Sequence, residues 1–99
     1  MVKWVIFEDS VNDQHAYPVS NINALFVTSA TNITVYARNP LQPTESVSDD
    51  TIALTCTSGS VDETLDVILN KLASDNINVT TINTVEISSV TTVAYTAGA

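Results

Sequence analysis

The chain has 99 residues, 44% of them apolar and 14% charged, with three Lys and Arg against eleven Asp and Glu for a formal net charge of -8. That length leaves room for one core, so residues 1–99 read as a single domain able to bury roughly 65% of its unfolded surface. The apolar fraction excludes intrinsic disorder, and Lys3, Arg38 and Lys71 are too few and too scattered for a phosphate-tracking stripe or for attraction to anionic lipid. Neither nucleic acid nor a membrane is therefore an expected partner. No apolar run approaches the ~18 residues of a membrane span. The start MVKWVIFEDS lacks the apolar h-region and cleavage site of a signal peptide, so an intracellular, soluble protein is expected.

Thr, Val and Ile dominate the chain, and their β-branched side chains favour a pleated, half-buried surface. Lys3 to Glu8 is the first predicted strand, with Trp4 and Ile6 on one face and Val5 and Phe7 on the other. Both faces are apolar and both need covering. A single helix can shield one of them, so Trp4, Val5, Ile6 and Phe7 form the candidate self-association surface. Turn chemistry at Ser10 to Asp13 returns the chain through a strand at 14–19. A second hairpin is predicted from Ile22 to Ser29 and Asn32 to Arg38, where Ile33, Val35 and Ala37 alternate with Thr34, Tyr36 and Arg38. The segment 39–50, NPLQPTESVSDD, has two prolines and no apolar period, and reads as a surface loop.

Thr51 to Thr57 forms the next predicted strand, with Ile52, Leu54 and Cys56 on one face. Ser60 followed by Glu63 has the spacing of a capping box at the start of a helix. That helix runs from about Val61 to Ser74, with an apolar stripe of Val61, Leu65, Ile68, Leu69 and Leu72 opposite Asp62, Glu63, Asp66 and Asn70. Strands follow at 77–82 and 90–96, with Val85 to Ile87 a short link in sheet conformation and 97–99 frayed. The expected fold class is α+β, a mainly antiparallel sheet with one amphipathic helix packed on one face.

Chemistry-bearing patterns are sparse. Glu8, Asp9 and Asp13 with His15 bring carboxylates and an imidazole to one hairpin, a candidate cation group, but they lack the spacing and the glycine of a calcium loop and read first as a solvated turn, so no metal is expected. Glu45, Asp49 and Asp50 read as a solubilising acidic loop. His15 is the only histidine, and neither a nucleophile-elbow, a glycine-rich phosphate loop nor a C-x-x-C pattern occurs, so no enzyme and no cofactor are expected. Cys56 has no second cysteine to pair with and reads as a small buried hydrophobe. The glycosylation patterns at Asn32 and Asn78 carry no meaning in an intracellular chain.

Four local patterns stand out: K-W-V-I-F-x-D from Lys3, P-V-S-N-I at Pro18 to Ile22, S-A-T-x-x-T-V-Y at Ser29 to Tyr36, and T-S-G-S before the helix. With these the chain resembles, over nearly its whole length, small β-rich proteins encoded by tailed phages of marine cyanobacteria and other marine bacteria. The resemblance implies no catalytic residues. It implies a non-catalytic phage structural or accessory protein, in the host cytoplasm or the virion, that forms a homo-oligomer or contacts other phage or host proteins. The alternative of a different class is a monomeric acidic module that docks on a host protein through the helix face or the 39–50 loop.

Overall fold

A computed structural model describes residues 3–10, 13–38, 49–74 and 76–96. Among the described residues, seven strands, a 3-10 turn and one α-helix follow one another: β1 Trp4–Ser10, β2 Asp13–Pro18, the 3-10 turn Val19–Asn21, β3 Ile22–Val27, β4 Asn32–Ala37, β5 Asp50–Cys56, α1 Val61–Leu72, β6 Val79–Ile82 and β7 Val90–Thr96. The fold is α+β, built mainly from antiparallel strands with one helix packed against them.

The strands form two sheets rather than one. A three-stranded sheet has the order β2-β1-β6, and a four-stranded sheet has the order β3-β4-β5-β7. All pairs are antiparallel except β1 with β6, which run parallel from Trp4 beside Val79 to Phe7 beside Ile82. The chain passes from the first sheet to the second at Pro18 to Ile22. Proline fixes its own φ and cannot extend a ladder, and the Val19 N–H donates to the Lys3 carbonyl at 2.9 Å. On the far side the Asn21 side chain donates to the Arg38 carbonyl at 2.9 Å, pinning the start of β3 to the end of β4.

The inner faces of both sheets contribute to one core. Val5 and Phe7 of β1, Tyr17 of β2 and Ile82 of β6 meet Ile33 and Val35 of β4, Ile52 and Leu54 of β5, and Val93 of β7, with Ile68 of α1 in the same cluster. Strict alternation in β4 and β5, where every second residue is buried, follows from a period of two on a sheet with one covered face. Gly59, at φ +86°, turns the chain from β5 into α1. Open space surrounds the point where a Cβ would sit, so the left-handed backbone rather than crowding calls for glycine there.

The structure corrects several expectations. Val5 and Phe7 belong to the monomer's own core, whereas Trp4 is 43% exposed and Ile6 half-buried; the proposed surface Trp4 to Phe7 therefore divides by face. The helix buries Val61, Thr64, Ile68 and Leu72, while Leu65 is half-buried and Leu69 exposed at 45%. The buried arc is rotated toward Thr64 because its hydroxyl finds partners inside, donating to the Ser60 carbonyl at 2.7 Å and meeting Ser89 Oγ at 2.5 Å. No capping box forms. Ser60 has φ -114° and ψ 7° and makes no side-chain cap bond, since its backbone departs from the extended conformation that aims an N-cap oxygen at the first turn. Asp62 and Glu63 still lie in the first turn and Lys71 in the last, as the helix dipole favours. Asp50 is no loop residue: it opens β5 and is fully buried. Residues 83–89 form turns and bends rather than a link in sheet conformation, with Asn83 Oδ1 accepting from the Val85 and Glu86 amides at 3.0 and 2.6 Å. Val11 and Asn12 of the expected first turn, residues 39–48 including Glu45, and the C-terminal 97–99 lie outside the described residues.

Candidate functional site

Among the described residues, three polar clusters with a buried or half-buried member and two outward sheet faces bear on function. The deepest cluster is centred on Asp50. The Tyr17 hydroxyl donates to Asp50 Oδ2 at 2.9 Å, and the Tyr95 hydroxyl donates to the same oxygen at 3.1 Å. These residues come from β2, β5 and β7, so the carboxylate joins the two sheets. A buried charge is tolerated only with such partners. Burial pushes the Tyr17 phenol far above its ordinary range, and the bond to Asp50 and its negative charge push it the same way. Tyr95 is raised for the same reasons, burial first. Toward solvent, His15 stacks on Tyr95 with ring centroids 3.6 Å apart and planes 8° from parallel, and its Nε2 meets Asp13 Oδ1 at 2.8 Å. The two phenol hydroxyls and Asp50 Oδ2 fasten one strand to another, while the Asp13–His15 contact lies within β2.

The second cluster engages Glu8. Its carboxylate accepts from the Gln14 amide and, at 2.7 Å, from Asn83 Nδ2. Glu8 and Asp13 of the candidate cation group thus spend their oxygens on separate partners, and Asp9 is exposed at the bulge between Glu8 and Ser10. Among the described residues, no group of three or more His, Cys, Asp or Glu side chains is arranged to hold a metal ion. The third cluster is Thr64 with Ser60 and Ser89, beside Cys56. Burial pushes the Cys56 thiol up, with Thr64 opposing the shift, so the sulfur stays protonated at neutral pH and is a poor nucleophile.

The outward face of the three-stranded sheet is apolar. Across it one row runs Val79, Trp4, Pro18 and the next Thr81, Ile6, Ala16; Trp4 and Val79 are 43% and 49% exposed. Glu8 and Gln14 close the patch on one side with a polar rim. The outward face of the four-stranded sheet has a different character. Its rows run Ala24, Tyr36, Thr51, Thr96 and Phe26, Thr34, Ala53, Ala94, with the Phe26 and Tyr36 rings edge to face at 5.8 Å.

No family model, curated protein or solved structure matches the chain. Geometry alone therefore bears on function. Of the residues singled out in the sequence, the structure gathers Trp4 and Ile6 on one surface, and places Val61, Ile68 and Leu72 in the core. Tyr17, Tyr95, Asn83 and Ser89 were not singled out in the sequence. Their roles depend on partners 25 to 75 residues away, and no local spacing signals them. Among the described residues no helix is long and apolar enough to cross a membrane.

Proposed function

We propose that this chain is a small non-catalytic structural or accessory protein of the phage type, working through self-association on the outward face of the β2-β1-β6 sheet. The observation that carries the reading is the patch of Trp4, Ile6, Val79, Pro18 and Ala16, apolar across all three strands on a chain of net charge -8. Contiguous apolar surface rimmed by polar groups marks contact sites on soluble proteins, and a two-fold axis brings the same patch of two copies together. The polar clusters support the non-catalytic part of the reading, because their acids and hydroxyls are engaged with partners inside the chain. The cytoplasm of a host cell or the virion is the compartment that goes with it.

Association must overcome repulsion between acidic copies. Salt shortens the Debye length from roughly 30 Å at 0.01 M to about 8 Å at 0.15 M, so the oligomer is expected to tighten as salt rises. Light scattering at tens of micromolar protein reads this directly. Trp4→Lys and Val79→Lys are both expected to reduce the assembled mass while leaving the circular dichroism of the fold unchanged. A monomer at every salt concentration overturns the reading and favours a monomeric acidic module that docks on another protein.

A further inference from the structure

The four-stranded sheet presents a second outward face that the first contact leaves open. Both sheets turn their inner sides to one core, so their outer sides point away from it. The chain carries eleven acids, yet every outward position within these four strands is neutral: Ala, Thr, Asn, Phe or Tyr. Among the described residues, charge returns beyond the strand ends, with Arg38 after β4 and Asp49 before β5. On a molecule this acidic, such a surface is one where two copies approach without bringing carboxylates together.

The register adds a fit of shape and charge. In one row Phe26 stands at the β3 margin, Thr34 and Ala53 lie in the middle, and Ala94 stands at the β7 margin. Phe26 is 53% exposed and Ala94 is also exposed. A two-fold axis parallel to the strands, between β4 and β5, exchanges β3 with β7 and β4 with β5. It seats each Phe26 ring on the second copy's Ala94, large against small, as interdigitating sheets require. One step beyond the Ala37–Asp50 pair, the same rotation brings Arg38 of one copy toward Asp49 of the other, whose carboxylate also accepts from the Asn23 amide of its own chain at 2.7 Å.

We infer that the β3-β4-β5-β7 face is a second self-association surface, occupied by another copy of this chain in face-to-face, two-fold packing. This inference deepens the proposed function and rests on it for the first interface. A subunit with two different two-fold contacts assembles past the dimer, into a closed dihedral ring or an open string.

Variants on each face separate the two ideas. The experiment is light scattering of the full chain at tens of micromolar and about 0.15 M salt, with circular dichroism to verify folding. The wild type is expected to exceed dimer mass, Trp4→Lys and Phe26→Lys each to stop at a two-fold mass, and the double variant to be monomeric. Ala94→Lys, at the other end of the same row, is expected to match Phe26→Lys and stands in for it if that variant does not fold. If Trp4→Lys alone yields monomers and the Phe26 and Ala94 variants assemble like wild type, the second face is overturned while the first contact stands. If the lysines at Phe26 and Ala94 yield monomers and Trp4→Lys changes nothing, the second face stands and the proposed first contact falls.

Discussion

Tyr17→Phe isolates the contribution of the Asp50 cluster. The substitution keeps the aromatic ring, which packs edge to face against Phe7 at 6.2 Å, and deletes only the hydroxyl that donates to Asp50 at 2.9 Å. A hydrogen bond to a charged group contributes about 1.5–3 kcal/mol. For a domain of this size each kcal/mol shifts Tm by about 4–8 °C, so a ~2 kcal/mol loss lowers Tm by roughly 8–16 °C. Tyr95→Phe is expected to cost less, because that ring is half-buried and its bond is longer, at 3.1 Å. Both hydroxyls donate to one oxygen, so the double variant is expected to lose more than the sum of the singles, by about 0.5 kcal/mol or more. The raised Tyr17 phenol fixes a pH dependence as well. Above about pH 10 an unfolded tyrosine ionises while the folded Tyr17 stays protonated, so the native state binds more protons and stability falls as pH rises, by up to about 1.4 kcal/mol per pH unit. Urea unfolding from pH 8 to 11.5 measures both effects, and Tyr17→Phe is expected to flatten the alkaline slope. A loss below about 0.5 kcal/mol with an unchanged slope would refute the assignment of Asp50 and Tyr17 as the fastening between the sheets.

The helix supplies a contrast on neighbouring residues: Ile68→Ala is expected to cost ~2–5 kcal/mol through the cavity it leaves, and exposed Leu69→Ala less than about 0.5 kcal/mol, both read by urea unfolding. Ser60→Ala is expected to stay within about 0.5 kcal/mol because no side-chain cap bond is lost, whereas Thr64→Val, which keeps the shape and removes a satisfied buried hydroxyl, should cost about 1–2 kcal/mol. Cys56 is buried with a raised thiol and is expected to react with a thiol reagent far more slowly in the native protein than in urea; equal rates would contradict its burial.

What could be read in the sequence was whatever local periodicity encodes. Alternation from Asn32 to Ala37 and from Thr51 to Cys56 placed the right residues inside, because a strand's two faces differ by one step along the chain. Helical spacing locates α1, but it carries the apolar stripe through Leu69 where the core takes Thr64. Hydrophobicity alone ranks leucine above threonine, and only the carbonyl of Ser60 and the hydroxyl of Ser89 make the threonine's burial favourable. The two apolar faces of β1 were likewise legible, but which of them the monomer covers was decided by sheet order. With β1 central between β2 and β6, Val5 and Phe7 turn into the shared core and Trp4 and Ile6 turn out. Asp50 shows the limit most clearly. In sequence it ends an acidic, proline-bearing loop, and nothing within several residues distinguishes it from Asp49. Its burial is set by hydroxyls 33 and 45 residues away, a pairing that exists only once both sheets have closed on one core.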